Sequence, residues 1–178
     1  MAEEDVADKK ESAFEELVAG YKGGETMPLA GYATLVGVYN AAFAAMLLAV
    51  KNSGRSLPKK VSVADLVLMG VATHTLTRLI TKDWVTAPLR APFTEYKESA
   101  GGGEVIEKSR GEGLQRAIGD LVTCPWCSAP WVAATLGFGF VFAPRVTRFI
   151  SGVFAAVTIS DFLQHAYEAA KKKSEDKP

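Results

Sequence analysis

Cysteine and histidine are scarce in this chain, with two of each in 178 residues. Two cysteines cannot build the disulfide framework that holds small secreted domains together. Nor can they alone supply the four ligands of a structural zinc or iron–sulfur site, so a metal would have to be shared between two chains. Net charge is also absent, because 20 lysines and arginines balance 20 acids. That balance gives no overall field to attract nucleic acid. Charge is missing locally as well: residues 26–50 (TMPLAGYATLVGVYNAAFAAMLLAV) and residues 121–144 contain no charged side chain. The acidic segment ahead of the first run (EEDVADKKESAFEEL) is unlike the short basic leader of a secretory signal. The first run is therefore expected to be a span and not a cleaved peptide.

What is present is segregation. Four apolar blocks alternate with charged segments, which predicts an all-α integral membrane protein with about four transmembrane helices, near 29–50, 61–81, 129–144 and 146–167. The first would be about 33 Å long, enough for a hydrocarbon core of about 30 Å. Its Gly31, Ala33, Gly37, Ala41, Ala42, Ala44 and Ala45 form a smooth side suited to another helix. Pro28 suits its first turn, and Ser62-x-x-Asp65 is a capping signal for the second. Pro130 is expected to open a short third span, with Trp126 and Trp131 in the headgroup zone. In the tail 1–25, Phe14, Leu17, Val18 and Tyr21 recur at helical spacing, the pattern of an amphipathic surface helix. Residues 82–128 read as one long loop with a flexible GGGE run and a short helix, GLQRAIGDLV. Residues 169–178 read as a disordered charged tail.

Lysine and arginine set the orientation. Thirteen lie in segments on the side of the termini and six on the other, so both termini are expected in the cytoplasm. Counted from that face, Arg78 lies about 6 Å, His74 about 12 Å and Asp161 about 9 Å into the membrane. An isolated charge at such depth is costly, so Arg78 and Asp161 are expected to pair. His74 shares a face with Arg78, and His165 with Asp161. Together they would be a structural polar network, a proton relay or an anion site.

Two further groups reach the same face. In Cys124-Pro125-Trp126-Cys127 a helix N-terminus would favour thiolate, the basis of a redox or metal reading; in a reducing cytoplasm the pair is expected to stay as thiols. The segment TKDWVTAPLRAPF offers Trp84, Pro88, Arg90, Pro92 and Phe93 for lipid phosphate or a partner subunit, or simply closes the helix ends.

Three pieces, TRLITKD (77–83), TAPLRAPF (86–93) and CPWC (124–127) followed by Trp131-Val132-Ala133, together resemble a family of small bacterial membrane proteins known as a domain of unknown function, DUF1360, which includes a sporulation-associated member. The resemblance spans roughly residues 61–161, and its motif positions here are Arg78, Asp83, Pro88, Arg90, Pro92, Cys124, Pro125 and Cys127. It implies a bacterial plasma-membrane location and carries no activity.

Three functions follow as expectations. The first is an accessory or scaffold subunit acting by helix–helix contact in a homo-oligomer or larger complex. The second is a membrane redox or metal protein using Cys124 and Cys127. The third is a small oligomeric transporter or channel using His74, Arg78, Asp161 and His165. An enzyme with a serine or histidine nucleophile is least supported, since neither histidine has a candidate nucleophile nearby in sequence.

Overall fold

The computed structural model describes Glu16, Val18, Tyr21 and residues 27–175. Most of the amphipathic segment around Phe14–Tyr21 lies outside the described residues. The first helix, α1 (Leu29–Asn52), is about 36 Å long and begins directly after Pro28. The second, α2 (Val63–Thr81), is capped by the Ser62 hydroxyl, which accepts from the Asp65 amide at 3.0 Å. A bidentate Arg148–Asp65 pair, both bonds 2.8 Å, ties that end to the start of the last helix.

The short helix expected within residues 82–128 is present, but the rest of that segment is folded too, and its hairpin means the chain is not wholly helical. The segment holds a 3-10 turn (Trp84–Thr86), the one-turn α3 (Ala87–Arg90), an antiparallel hairpin of β1 (Thr94–Gly101) and β2 (Glu104–Ser109), and α4 (Gly113–Thr123). Gly101, Gly102 and Gly103, expected to be flexible, have φ of 81°, 58° and 82°. Those left-handed values, open to glycine at little cost, make the reversal between the strands. The hairpin tip is held to the end of α2: the Trp84 amide donates to Gly103 O at 3.0 Å, and the Val105 amide to Lys82 O at 2.8 Å.

The next helix, α5 (Pro125–Phe142), starts earlier than expected, because Cys124 caps it and Pro125 occupies its first position. Pro130 lies inside the helix instead of opening it. The bond Pro130 cannot make would go to the carbonyl of Trp126, near the helix start. The last helix, α6 (Pro144–Glu175), continues through residues expected to be disordered. Glu168, Ala169, Ala170 and the lysines that follow are strong helix formers, and Lys172 and Lys173 suit the negative end of the helix dipole.

Among the described residues three helices, α1, α2 and α6, are long and apolar enough to cross a membrane; α4 and α5, bent by 81° at their junction, qualify only as a pair, giving up to four spans. The helix α2 packs between α6 and α5, while α1 rests mainly on α4. These contacts are made by small and hydroxyl side chains, among them Ala72, Thr75, Thr77, Thr147, Ser151 and Ala117. Thr75 Oγ1 meets Thr158 Oγ1 and the Phe154 carbonyl across the α2–α6 seam. Large apolar residues instead face outward: Val63 is 76% exposed and Phe149 74%. That is the reverse of a water-soluble core and suits a lipid surround.

Candidate functional site at one end of the helices

The end of α2, the start of α1 and the start of α5 meet under the hairpin and α4. Arg90 organises this end. Its side chain is 2% exposed, and its Nε donates to Glu107 Oε2 at 2.5 Å. Its Nη1 donates to Ile80 O at 2.8 Å and to Thr86 Oγ1 at 2.6 Å, and its Nη2 to Asp83 O at 3.1 Å. A guanidinium therefore meets carbonyls at and just beyond the C-terminal end of a helix, where positive charge is favoured, and a buried carboxylate on β2. Thr94 Oγ1 donates to Glu107 Oε1 at 3.2 Å. Of the two roles weighed for this segment, contact with lipid phosphate or a partner and closure of the helix ends, the four inward hydrogen bonds of Arg90 serve the second. Arg90 locks the TAPLRAPF segment between α2 and the hairpin.

Arg78 and Asp161, placed at similar depth by sequence, form an ion pair of 2.7 Å between α2 and α6. Glu104, at the hairpin tip, approaches Arg78 to 3.7 Å. Sequence reasoning missed Glu104, since it follows the glycine run and only the folded hairpin carries it to Arg78. His74 and His165 do not join this group. Both are exposed, and among the described residues neither imidazole has a hydrogen-bond or ion-pair partner.

The cysteines lie at the α4–α5 bend. Their Cα atoms are 5.2 Å apart and the sulfurs are joined as a disulfide, where thiols were expected. The first turn of a helix holds positions i and i+3 on one side, which brings the pair within bonding range. Cys124 is half-buried and its Sγ accepts from the Cys127 amide at 3.2 Å; Cys127 is exposed. The Ser128 hydroxyl donates to Leu121 O at 2.7 Å across the same bend. Beside it, Tyr32 of α1 donates to Asp120 Oδ2 at 2.6 Å, and Ser109 of β2 bonds the other carboxylate oxygen. Asp120 thus joins α1, α4 and the hairpin. Its place on the inner face of the short amphipathic helix was the signal that could have found it. Gly119 is needed next to it: a Cβ there would stand 2.5 Å from Phe93 O.

The remaining candidates line the outside. Trp84, Pro88 and Pro92 are exposed, Phe93 is half-buried, and the Trp84 and Tyr96 rings lie 5.3 Å apart. The Pro92 carbonyl accepts from Arg110 Nε at 3.1 Å and Gln115 Nε2 at 2.9 Å, so it serves the hairpin base. Among the described residues no group of three or more His, Cys, Asp or Glu is placed to hold a metal ion. The Glu95 carboxyl on β1 lies below its usual range, because the Lys97 ammonium 3.0 Å away favours its charged form.

The model of a protein family of unknown function, DUF1360, matches residues 68–167, more than half of the chain. The chain belongs to the DUF1360 family. The sporulation protein YjcA of Bacillus subtilis (strain 168) is 29% identical over 102 residues, 56% of this chain and 86% of that protein. The UPF0713 protein YngL of the same organism is 32% identical over 88 residues, 49% of this chain and 65% of that protein. No solved structure matches. The family match takes in most of α2, the 3-10 turn, α3, the hairpin, α4, α5 and most of α6; it leaves out α1.

Proposed function

We propose that this protein is an accessory or scaffold subunit of the bacterial plasma membrane that acts by helix–helix association, in a homo-oligomer or a larger membrane complex. The observation that carries this reading is one face of α1. Ala33, Gly37, Asn40 and Ala44 recur at the spacing of a single helix face, and all four are exposed. A Cβ built on Gly37 meets nothing within 4 Å. Asn40 lies at the middle of the 24-residue helix, and its amide nitrogen bonds only back to Val36 O, at 2.8 Å. An amide facing hydrocarbon at that depth is poorly satisfied, and small neighbours let a second helix approach and complete its bonds. The thirteen-to-six lysine and arginine bias supports termini on the cytoplasmic side. Mass measurement of the particle purified in gentle detergent tests the reading. Association is expected, and Asn40→Leu or Gly37→Ile should weaken it by about 1 kcal/mol or more. A strictly monomeric, partner-free wild-type particle would sink it.

A second reading is favoured by the disulfide at the α5 N-terminus: a thiol–disulfide redox protein of the membrane using Cys124 and Cys127. Titration of the purified protein should find a pair that opens with a dithiol and re-forms with oxidised glutathione. Two thiols that never re-form the bond would end it.

A further inference from the structure

The thiol–disulfide reading does not by itself use a cleft of about 420 Å³ that opens between α1, α4 and α5. Tyr32, Val36 and Tyr39 on α1 and Trp131 on α5 form much of its wall, Asp120 gives it a polar edge, and Cys127 lies in its lining. We infer that this cleft takes a membrane quinone and that the reduced Cys124–Cys127 pair passes two electrons to it. The inference rests on the thiol–disulfide reading.

Four observations converge on a quinone. A dithiol–disulfide couple exchanges two electrons at once, and quinones are the two-electron acceptors that dissolve in hydrocarbon. The α1 wall falls within the first three turns of a helix long enough to cross a membrane, and Val36 at its lip is 61% exposed. A molecule held in lipid can therefore enter without crossing water. The volume fits a substituted ring, and an almost wholly apolar lining with one polar edge is the usual form of such a site. At that edge the Tyr32 hydroxyl and Asp120, 2.6 Å apart, stand ready for a ring oxygen and its proton.

The two sulfurs have different surroundings, which assigns their roles. Cys127, exposed and in the cleft wall, is the sulfur that meets the ring. Cys124 caps α5, where helix amides stabilise negative charge on its sulfur. The Cys127 thiolate adds to a ring carbon, and the ring takes up the electron pair and one proton. Before the adduct aromatises, the Cys124 thiolate attacks Cys127 Sγ. The sulfur–sulfur bond forms, the sulfur–carbon bond breaks with its electron pair passing into the ring, and a second proton completes the hydroquinone. In sum, two thiols lose two electrons and two protons, and the quinone gains both.

The test uses the full chain in detergent or lipid discs, reduced with dithiothreitol, freed of it without air, and mixed with decylubiquinone. Loss of quinone absorbance should match loss of free thiols, with one quinone reduced per chain, and both Cys127→Ser and Cys124→Ser should abolish it. Val36→Trp, which narrows the lip, should slow quinone reduction about tenfold more than it slows disulfide formation by oxidised glutathione, a difference of about 1.4 kcal/mol. If glutathione re-forms the disulfide while the quinone stays oxidised, the cleft inference fails and the thiol–disulfide reading stands. If neither oxidant closes the bond, both fail. Equal slowing of the two reactions by Val36→Trp would place the chemistry outside the cleft and overturn the inference as well.

Discussion

The two halves of this molecule solve the problem of polar groups in opposite ways. At the hairpin end, Arg90 makes four hydrogen bonds, one to Glu107, and almost nothing of it is left exposed. Along the middle of α1, Asn40 bonds only to its own helix and the small-residue face around it is uncovered. One region is complete within a single chain; the other has bonding capacity to spare. The contrast teaches where to look for function. A self-satisfied network shapes and positions, whereas an unsatisfied surface is where something else can bind.

The largest effect is expected at Arg90. Removing one partner of a buried pair leaves the other charge stranded, so Arg90→Ala or Glu107→Ala should destabilise the hairpin end by about 3–5 kcal/mol. Arg90→Lys should recover little, since an ammonium cannot reproduce the planar fork that reaches Ile80, Asp83 and Glu107. Limited proteolysis between 94 and 109, together with denaturant unfolding in detergent, reads the effect. A fully protected hairpin in Arg90→Ala would mean that the network does not hold it.

Arg78–Asp161 is intermediate, with side chains 29% and 28% exposed. Asp161→Asn keeps an acceptor for Arg78 and should cost less than about 1 kcal/mol. Asp161→Leu leaves the guanidinium with only Glu104, at 3.7 Å, and should cost about 1.5–3 kcal/mol. Equal, negligible effects on unfolding would rule out a role for the pair in holding α2 to α6.

How much of this was legible beforehand depends on which physical signal each element carries. The long helices announce themselves because hydrocarbon excludes charge over 20 or so residues, and α1 begins three residues into the charge-free run. Arg78 and Asp161 could be matched because helical rise converts position into depth from a shared end. The hairpin gave no such signal. Seven of the eight β1 residues are exposed, so no apolar alternation marks the strand, and Val105 is the one buried apolar residue of β2. The burial of Arg90 was equally invisible, because its acceptors are the Ile80 and Asp83 carbonyls, the Thr86 hydroxyl and the Glu107 carboxylate, which only the folded turn and hairpin bring together. At α5, two prolines competed to mark the start, and the cap at Cys124 decided for Pro125.

The finest test sets one ion pair of the hairpin against another. Glu95 and Lys97 lie 3.0 Å apart on the open face of β1, in the same module as Arg90 and Glu107. Glu95 has its folded-state pKa depressed by Lys97, so its contribution is present above the unfolded pKa and is lost as pH falls through the folded value, below the ordinary carboxylate range. Water and salt screen both groups, and a surface pair of this kind contributes little. Lys97→Ala should therefore return the Glu95 titration, followed by carboxyl NMR, to the ordinary range while leaving hairpin protection at neutral pH unchanged. Arg90→Ala should do the reverse, lowering protection at every pH. If the exposed pair proved as costly to break as the buried one, enclosure would not be what sets this end of the molecule apart.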